Sequence, residues 1–166
     1  MRRLGAVFML WMLGFGMPHE ARAASSDDVR VMALNMYHEA RGEGRLGMLA
    51  VGWVVLNRMA DKAYPSTVAG VVYQGCQFSW VCDRRSDRPR DAQAWQRALQ
   101  LAAELLEQPG RDPTRGAMWY HASWIRDPGW GPDIARVTRI GRHIFYTRAE
   151  RAPDPALAPR LLFASR

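Results

Sequence analysis

The nine residues Met48 to Leu56, Met-Leu-Ala-Val-Gly-Trp-Val-Val-Leu, contain no polar side chain. Read within a helix from Leu46 to Met59, they are apolar nearly all round, so this helix must be covered on every side and sits at the centre of the fold. The rest of the chain offers covering elements. Ser25, Ser26, Asp27 and Asp28 read as a helix start, with a cap and acids on the positive dipole end. Val29, Ala33, Met36, Tyr37 and Ala40 then fall on one face, and Gly42 and Gly44 stop that helix. Pro65 and Ser66 open a short third helix that ends near Gly75. Residues 76–90 read as a loop of mixed charge. Asp91 to Gln108 is amphipathic, with Ala92, Trp95, Leu99, Ala102 and Leu106 expected on the buried face and Gly110 as the stop. Ala117 to Ala122 and Val137 to Thr147 are β-like by composition. Between them lies a turn-rich loop with Pro128, Gly129, Gly131 and Pro132. The expected class is α+β, mainly helical, with a small sheet late in the chain.

The length of 166 residues suits one domain. At the start, Arg2 and Arg3 precede an apolar run from Leu4 to Met17, and Ala21-Arg22-Ala23 offers small residues where a signal peptidase cuts. Cleavage is expected after Ala23. The run is shorter than the roughly 20 residues of a membrane span, which argues against the alternative of a retained anchor. The expected organisation is a signal peptide over 1–23, a catalytic domain over 24–147 and a Pro-rich tail over 148–166. Cleavage removes three arginines and one glutamate, lowering the formal net charge of +7 by two. A basic exported domain suits an anionic polymer, or is simply soluble. There is no nucleic-acid motif and no clustered basic helix, so no nucleic-acid partner is expected. No stable membrane insertion is expected once the signal is cleaved, and the place of action is the periplasm or the exterior. In an oxidising compartment the pair Cys76 and Cys82 is expected to form a disulfide around Gln77-Phe78-Ser79-Trp80-Val81.

The candidate chemistry lies in Tyr37-His38-Glu39-Ala40-Arg41-Gly42-Glu43-Gly44. Glu39 stands in the last turn of the first helix, at the negative end of its dipole. That position, and partial burial beside Tyr37, disfavour the ionised carboxylate and suit a general acid. Arg41 and Arg45 act in the opposite sense. Residue by residue, a helix-end glutamate paired with a nearby arginine is the plainer reading.

The chain also resembles the spore cortex-lytic enzyme family of bacterial cell wall hydrolases. The resemblance rests on the Tyr37 to Gly44 motif, Gly47 to Met59 ending in Leu56-Asn57-Arg58, and Tyr64-Pro65-Ser66-Thr67-Val68. It continues through Cys76-Gln77-Phe78-Ser79-Trp80, Asp112-Pro113-Thr114, Ala117 to Ala122 and Ile140-Gly141-Arg142-His143-Ile144-Phe145-Tyr146. These pieces span residues 29–147 in order. The resemblance implies a fold similar to lysozyme and the lytic transglycosylases. It implies peptidoglycan glycan strands as substrate and Glu39 as the catalytic acid, with no cofactor and no metal.

Cleavage of a β-1,4 glycosidic bond needs an acid at the leaving oxygen, and most glycosidases add a second carboxylate. Glu43 is the nearby candidate, or it braces Arg41 or the turn. Arg41 is a candidate supporting residue. A single acid suffices where the muramic C6 hydroxyl attacks, as in lytic transglycosylases. Candidate sugar contacts are Tyr37, Gln77, Phe78, Trp80 and Tyr120, with Trp119 and Trp130 as further aromatics; each aromatic could equally pack the core. Rival readings remain. One is a zinc amidase using His38, His121 and His143 with Glu39 and Glu43, although the His-Glu-x-x-His spacing is missing. Another is a cysteine peptidase using Cys76 or Cys82. The third is a non-catalytic wall-binding module.

Overall fold

The computed structural model describes residues 24–152. The expected signal segment, and the part of the expected tail beyond residue 152, lie outside the described residues. Four helices come first: α1 (Ser26–Ala40), α2 (Gly44–Met59), α3 (Val68–Val72) and α4 (Ala92–Glu107). Three strands follow, β1 (Trp119–Ala122), β2 (Ile134–Ile140) and β3 (His143–Arg148), forming one antiparallel sheet in the order β1-β3-β2.

The caps are legible in the residues. The Ser25 hydroxyl accepts the Asp28 N–H at 3.0 Å, and Asp27 and Asp28 occupy the first turn of α1. Asp91 caps α4 by accepting the Ala94 N–H at 2.9 Å. Thr67 caps α3 through the Gly70 N–H at 3.1 Å, so this helix starts later and ends earlier than Pro65 and Gly75 suggest. The second helix starts two residues before Leu46, at Gly44, whose φ of +67° only glycine adopts freely.

The all-apolar helix is enclosed as its composition demands. One side of α2, with Met48, Val51 and Val55, packs with Met32 and Met36 of α1, Val71 and Val72 of α3, and Leu101 and Leu105 of α4. The other side, Ala50 and Val54, packs with Ala117, Ile140 and Phe145. Thus α2 is sandwiched between a helical layer and the sheet. A side chain at Gly52 would run into Met36 and Leu105, so this glycine is where α1 and α4 approach closely.

One local expectation needs correction. The buried stripe of α4 is Ala94, Ala98, Leu101, Ala102 and Leu105. Trp95, Leu99 and Leu106 flank it half-buried and Ala92 is exposed, because contact with α1 and α2 rotates the helix relative to its sequence pattern. The β-like segment Val137 to Thr147 falls in two strands, β2 and β3. Gly141, at φ +57°, turns the chain between β2 and β3, and the register shifts between Arg136 and Thr138 as in a β-bulge.

Past residue 147 the chain remains tied to the domain. Arg148 and Arg151 each donate to Asp61 Oδ2 at 2.8 Å, and Asp61 Oδ1 accepts the Ala63 N–H at 2.8 Å. These contacts hold the Asp61 carboxyl below its ordinary range, the Ala63 hydrogen bond most of all.

The hairpin turn has a distant anchor. Glu43, at the start of α2, accepts the Arg142 N–H at 2.8 Å and Arg142 Nε at 2.7 Å. A Cβ on Gly141 would strike the Glu43 carboxylate. Gly141→Ala therefore meets both an unfavourable left-handed backbone, at about 1–2 kcal/mol, and a displaced ion pair. A loss of about 1–3 kcal/mol is expected in denaturant unfolding followed by circular dichroism; an unchanged midpoint would contradict this account of the turn.

Candidate active site

Glu39 is the last residue but one of α1, and the buried Met32, Met36 and Ala40 fix the rotation of that helix. Its side chain points toward the sheet. There Glu39 Oε2 accepts the Tyr120 hydroxyl at 3.0 Å, a contact between residues 81 apart in the chain. Burial holds the Glu39 carboxyl above the ordinary carboxylate value; the Tyr120 hydrogen bond works against that shift without cancelling it. Neither nearby arginine pairs with it. Arg41 stacks its guanidinium over the Tyr37 ring at 5.3 Å, and Arg45 pairs with Glu104 at 2.7 Å. The alternative of a helix-end glutamate neutralised by an arginine is thereby overturned.

Glu39 lines a groove of about 640 Å³. Gln77 and Ser79 contribute from the loop after α3, Tyr120 and Trp119 from β1, Trp124 and Trp130 from the β1–β2 loop, and His143 from β3. Trp124, 69% exposed, presents an indole to solvent at the rim. Burial holds the Tyr120 hydroxyl far above its ordinary value, and the neighbouring Glu39 adds to the shift, so Tyr120 is a donor to the carboxyl. Burial also lowers the basicity of His143, whose ring meets that of Tyr120 edge-on at 5.1 Å.

The other candidates separate clearly. Gln77 and Tyr120 reach the groove. Phe78 does not: it is 2% exposed and sits in the core under the Arg58 guanidinium, 5.3 Å from its ring centroid. Trp80 and Tyr37 are also largely buried. Trp80 Nε1 donates to Asn35 Oδ1 at 3.1 Å, and the Tyr37 hydroxyl accepts the N–H groups of Arg90 and Asp91 at 3.0 Å each. Their remaining exposed edges face a neighbouring concavity, not the groove. Glu43 braces a turn, as one alternative had it, but the partner is Arg142 of the hairpin rather than Arg41. Burial would raise the Glu43 carboxyl, yet its bonds from Arg142 bring it below the ordinary value, so it is held as a carboxylate. Cys76 and Cys82 lie at bonding distance with Cα atoms 5.6 Å apart, at the base of the Gln77 loop.

Two groove residues escaped the sequence reading in this role. Arg58 donates from Nε to the Met118 carbonyl at 2.8 Å and also lines the groove. Trp124 belongs to the turn-rich loop, where an exposed tryptophan beside glycines and prolines was the available signal. The three histidines are apart in use: His38 contacts the Asp87 carbonyl, whereas His121 contacts the Tyr146 hydroxyl. Among the described residues no group of three or more His, Cys, Asp or Glu is placed to hold a metal ion.

A family model described as cell wall hydrolase matches residues 42–146, a span that holds Tyr120 and begins just after Glu39. The chain belongs to this cell wall hydrolase family. It is 36% identical over 121 residues to the spore cortex-lytic enzyme of Halalkalibacterium halodurans, which covers 73% of this chain and 35% of that protein. It is 33% identical over 135 residues to the cell wall hydrolase CwlJ of Bacillus subtilis, covering 74% and 87% respectively. The catalytic domain of the germination-specific lytic transglycosylase SleB from Bacillus anthracis superposes with a TM-score of 0.61 at 31% identity, over 76% of this chain and 98% of that one. The chain spans less than half the length of the cortex-lytic enzymes it matches.

The Glu39–Tyr120 bond sets a pH expectation. The hydroxyl stabilises the ionised carboxyl, so Tyr120→Phe removes the opposing influence and should move the Glu39 titration midpoint to higher pH. Carbon-detected NMR of the carboxyl reads this directly, and a downward shift would contradict it. Stability follows from the same burial. A carboxyl whose folded value exceeds its unfolded value contributes most at low pH, and that contribution is lost as pH rises through the folded value. Glu39→Gln, free of that loss, should unfold at pH 7 no more easily than the wild type, as measured by thermal denaturation.

Proposed function

We propose that this domain cleaves the β-1,4 glycosidic bond of peptidoglycan glycan strands as a lytic transglycosylase, with Glu39 as general acid and then general base. The observation that carries the reading is one half-buried carboxyl, held toward its protonated form and oriented by Tyr120, in a groove rimmed by tryptophans. The solved relative named as a lytic transglycosylase supports it.

In the proposed reaction Glu39 gives its proton to the leaving glycosidic oxygen as the bond to the anomeric carbon breaks. The C6 hydroxyl of the same muramic residue bonds to that carbon and surrenders its proton to the Glu39 carboxylate. The product is a 1,6-anhydro end, no water is consumed and the acid is regenerated. Among the described residues Glu39 is the one carboxylate lining the groove, so none of them offers a second carboxylate there as nucleophile or base. Glu43, held ionised by Arg142, positions the hairpin beside the groove. Gln77 and Tyr120, with Trp119, Trp124 and Trp130, are the sugar contacts: ring faces stack on the apolar side of a pyranose and the amide meets its substituents.

Export fits this substrate. The leader-like start of the sequence, with cleavage after Ala23, would deliver the domain to the wall, periplasmic or extracellular. Among the described residues no helix is long and apolar enough to cross a membrane. In an oxidising compartment Cys76 and Cys82 would be bonded, holding the loop that carries Gln77.

Mass spectrometry of digested muropeptides tests the chemistry. Anhydro ends are expected. Reducing ends would mean hydrolysis by water, and freed peptides whose release stops with a chelator would mean a metal amidase. Glu39→Gln should lower wall digestion by about 10²–10⁴-fold while leaving wall binding intact, the usual range for a lost general acid. Digestion at the wild-type rate would remove Glu39 from the mechanism.

A further inference from the structure

Beside the glycan groove lies a second concavity of about 600 Å³, between the end of α1 and the loop of residues 83–91. The two adjoin, since Ser79 lines both, and His38 and Glu39, neighbours in sequence, face one each. His38 is stacked on Trp80 with ring centroids 4.8 Å apart, giving the second concavity a firm wall.

Arg41, Arg85, Arg88 and Arg90 line it. Among the described residues none of the four enters an ion pair. Asp83, Asp87 and Asp91 line it as well, but two of these carboxylates already serve the backbone. Asp83 accepts the Arg85 N–H at 2.8 Å, and Asp91 caps α4.

The loop is anchored although its guanidiniums are unpaired. The Tyr37 hydroxyl holds the N–H groups of Arg90 and Asp91. His38 Nε2 donates to the Asp87 carbonyl at 3.1 Å, and Ser86 Oγ accepts the Arg88 N–H at 3.3 Å. Arg84 sits at φ +58°, a left-handed conformation that a non-glycine residue keeps only where its surroundings impose it. Guanidiniums on an anchored backbone bind planar carboxylates in paired hydrogen bonds, with little loop ordering left to oppose binding.

Resting on the reading of the groove as a glycan site, we propose that this concavity is a subsite for the acidic stem peptide borne by the muramic residues. Arg85, Arg88 and Arg90 take its carboxylates, and Asp87 takes the ammonium of its diamino acid. The mixture of four cations with acids matches a ligand that carries both charges. Ser79, which lines both concavities, marks where an extended peptide would cross from one into the other.

The test compares intact peptidoglycan strands with the same strands stripped of peptides by an amidase. Half-saturation is expected at about tenfold lower concentration for peptide-bearing strands. Arg85→Gln/Arg88→Gln should abolish that preference while leaving cleavage of bare strands unchanged. Equal half-saturation in the wild type, or a preference kept by a double variant with a native circular dichroism spectrum, overturns the subsite. A free stem tetrapeptide titrated by NMR gives a readout independent of cleavage. Shifts at Arg85 and Arg88 are expected, and their absence overturns the proposal. Peptide binding by a protein that cuts neither strand supports the subsite and sinks the glycan reading instead.

Discussion

Everything in this domain is arranged around a helix that cannot face water. Because α2 is apolar on nearly every side, the helices α1, α3 and α4 must cover one side and the sheet must cover the other. That sandwich brings the end of α1 to β1, where Glu39 meets Tyr120. Glu39 and Tyr120 are separated by 81 residues in sequence, and α2 is the common surface against which their elements are registered. A substitution that opens space around Val54 or Phe145 would disturb the acid site through packing without touching the acid.

The two glutamates of the Glu-Ala-Arg-Gly-Glu segment show how environment divides like residues. Glu39 is desolvated and its one neutral donor, Tyr120, offsets that only in part, so its proton is favoured. Glu43 meets a guanidinium and a backbone N–H, so its charge is favoured. Only three residues lie between them, yet one suits proton transfer and the other holds a turn. Arg142 is largely exposed, so the contribution of this ion pair lies more in fixing the hairpin geometry than in net stability.

Aromatic residues divide in the same way. Phe78 and Trp80 lie on one short loop with Gln77, and all three looked equally suited to a sugar. The side chains alternate in their surroundings: Phe78 and Trp80 enter the core, and Gln77 remains outside. The tryptophans that stay at the groove come instead from β1 and the β1–β2 loop. Burying the two loop aromatics anchors the loop from beneath, which adds to whatever the cysteine pair contributes.

Sequence alone was enough to read the mainly helical class, the helix start over Ser25 to Asp28, the central place of α2 and the position of Glu39 at a helix end. These are local matters: capping chemistry and hydrophobic periodicity act over a few residues and can be read over a few residues. It did not determine the rotation of α4, the hairpin within Val137 to Thr147, or which aromatics face the groove. Nor did it determine that Glu43 would meet Arg142, 99 residues away. Those depend on which surfaces remain exposed after the core closes, and on pairs of residues that no spacing rule connects. The protonation preference of Glu39 belongs to this second group, because sequence supplies the carboxyl and its neighbours but only the packed structure removes the water around it.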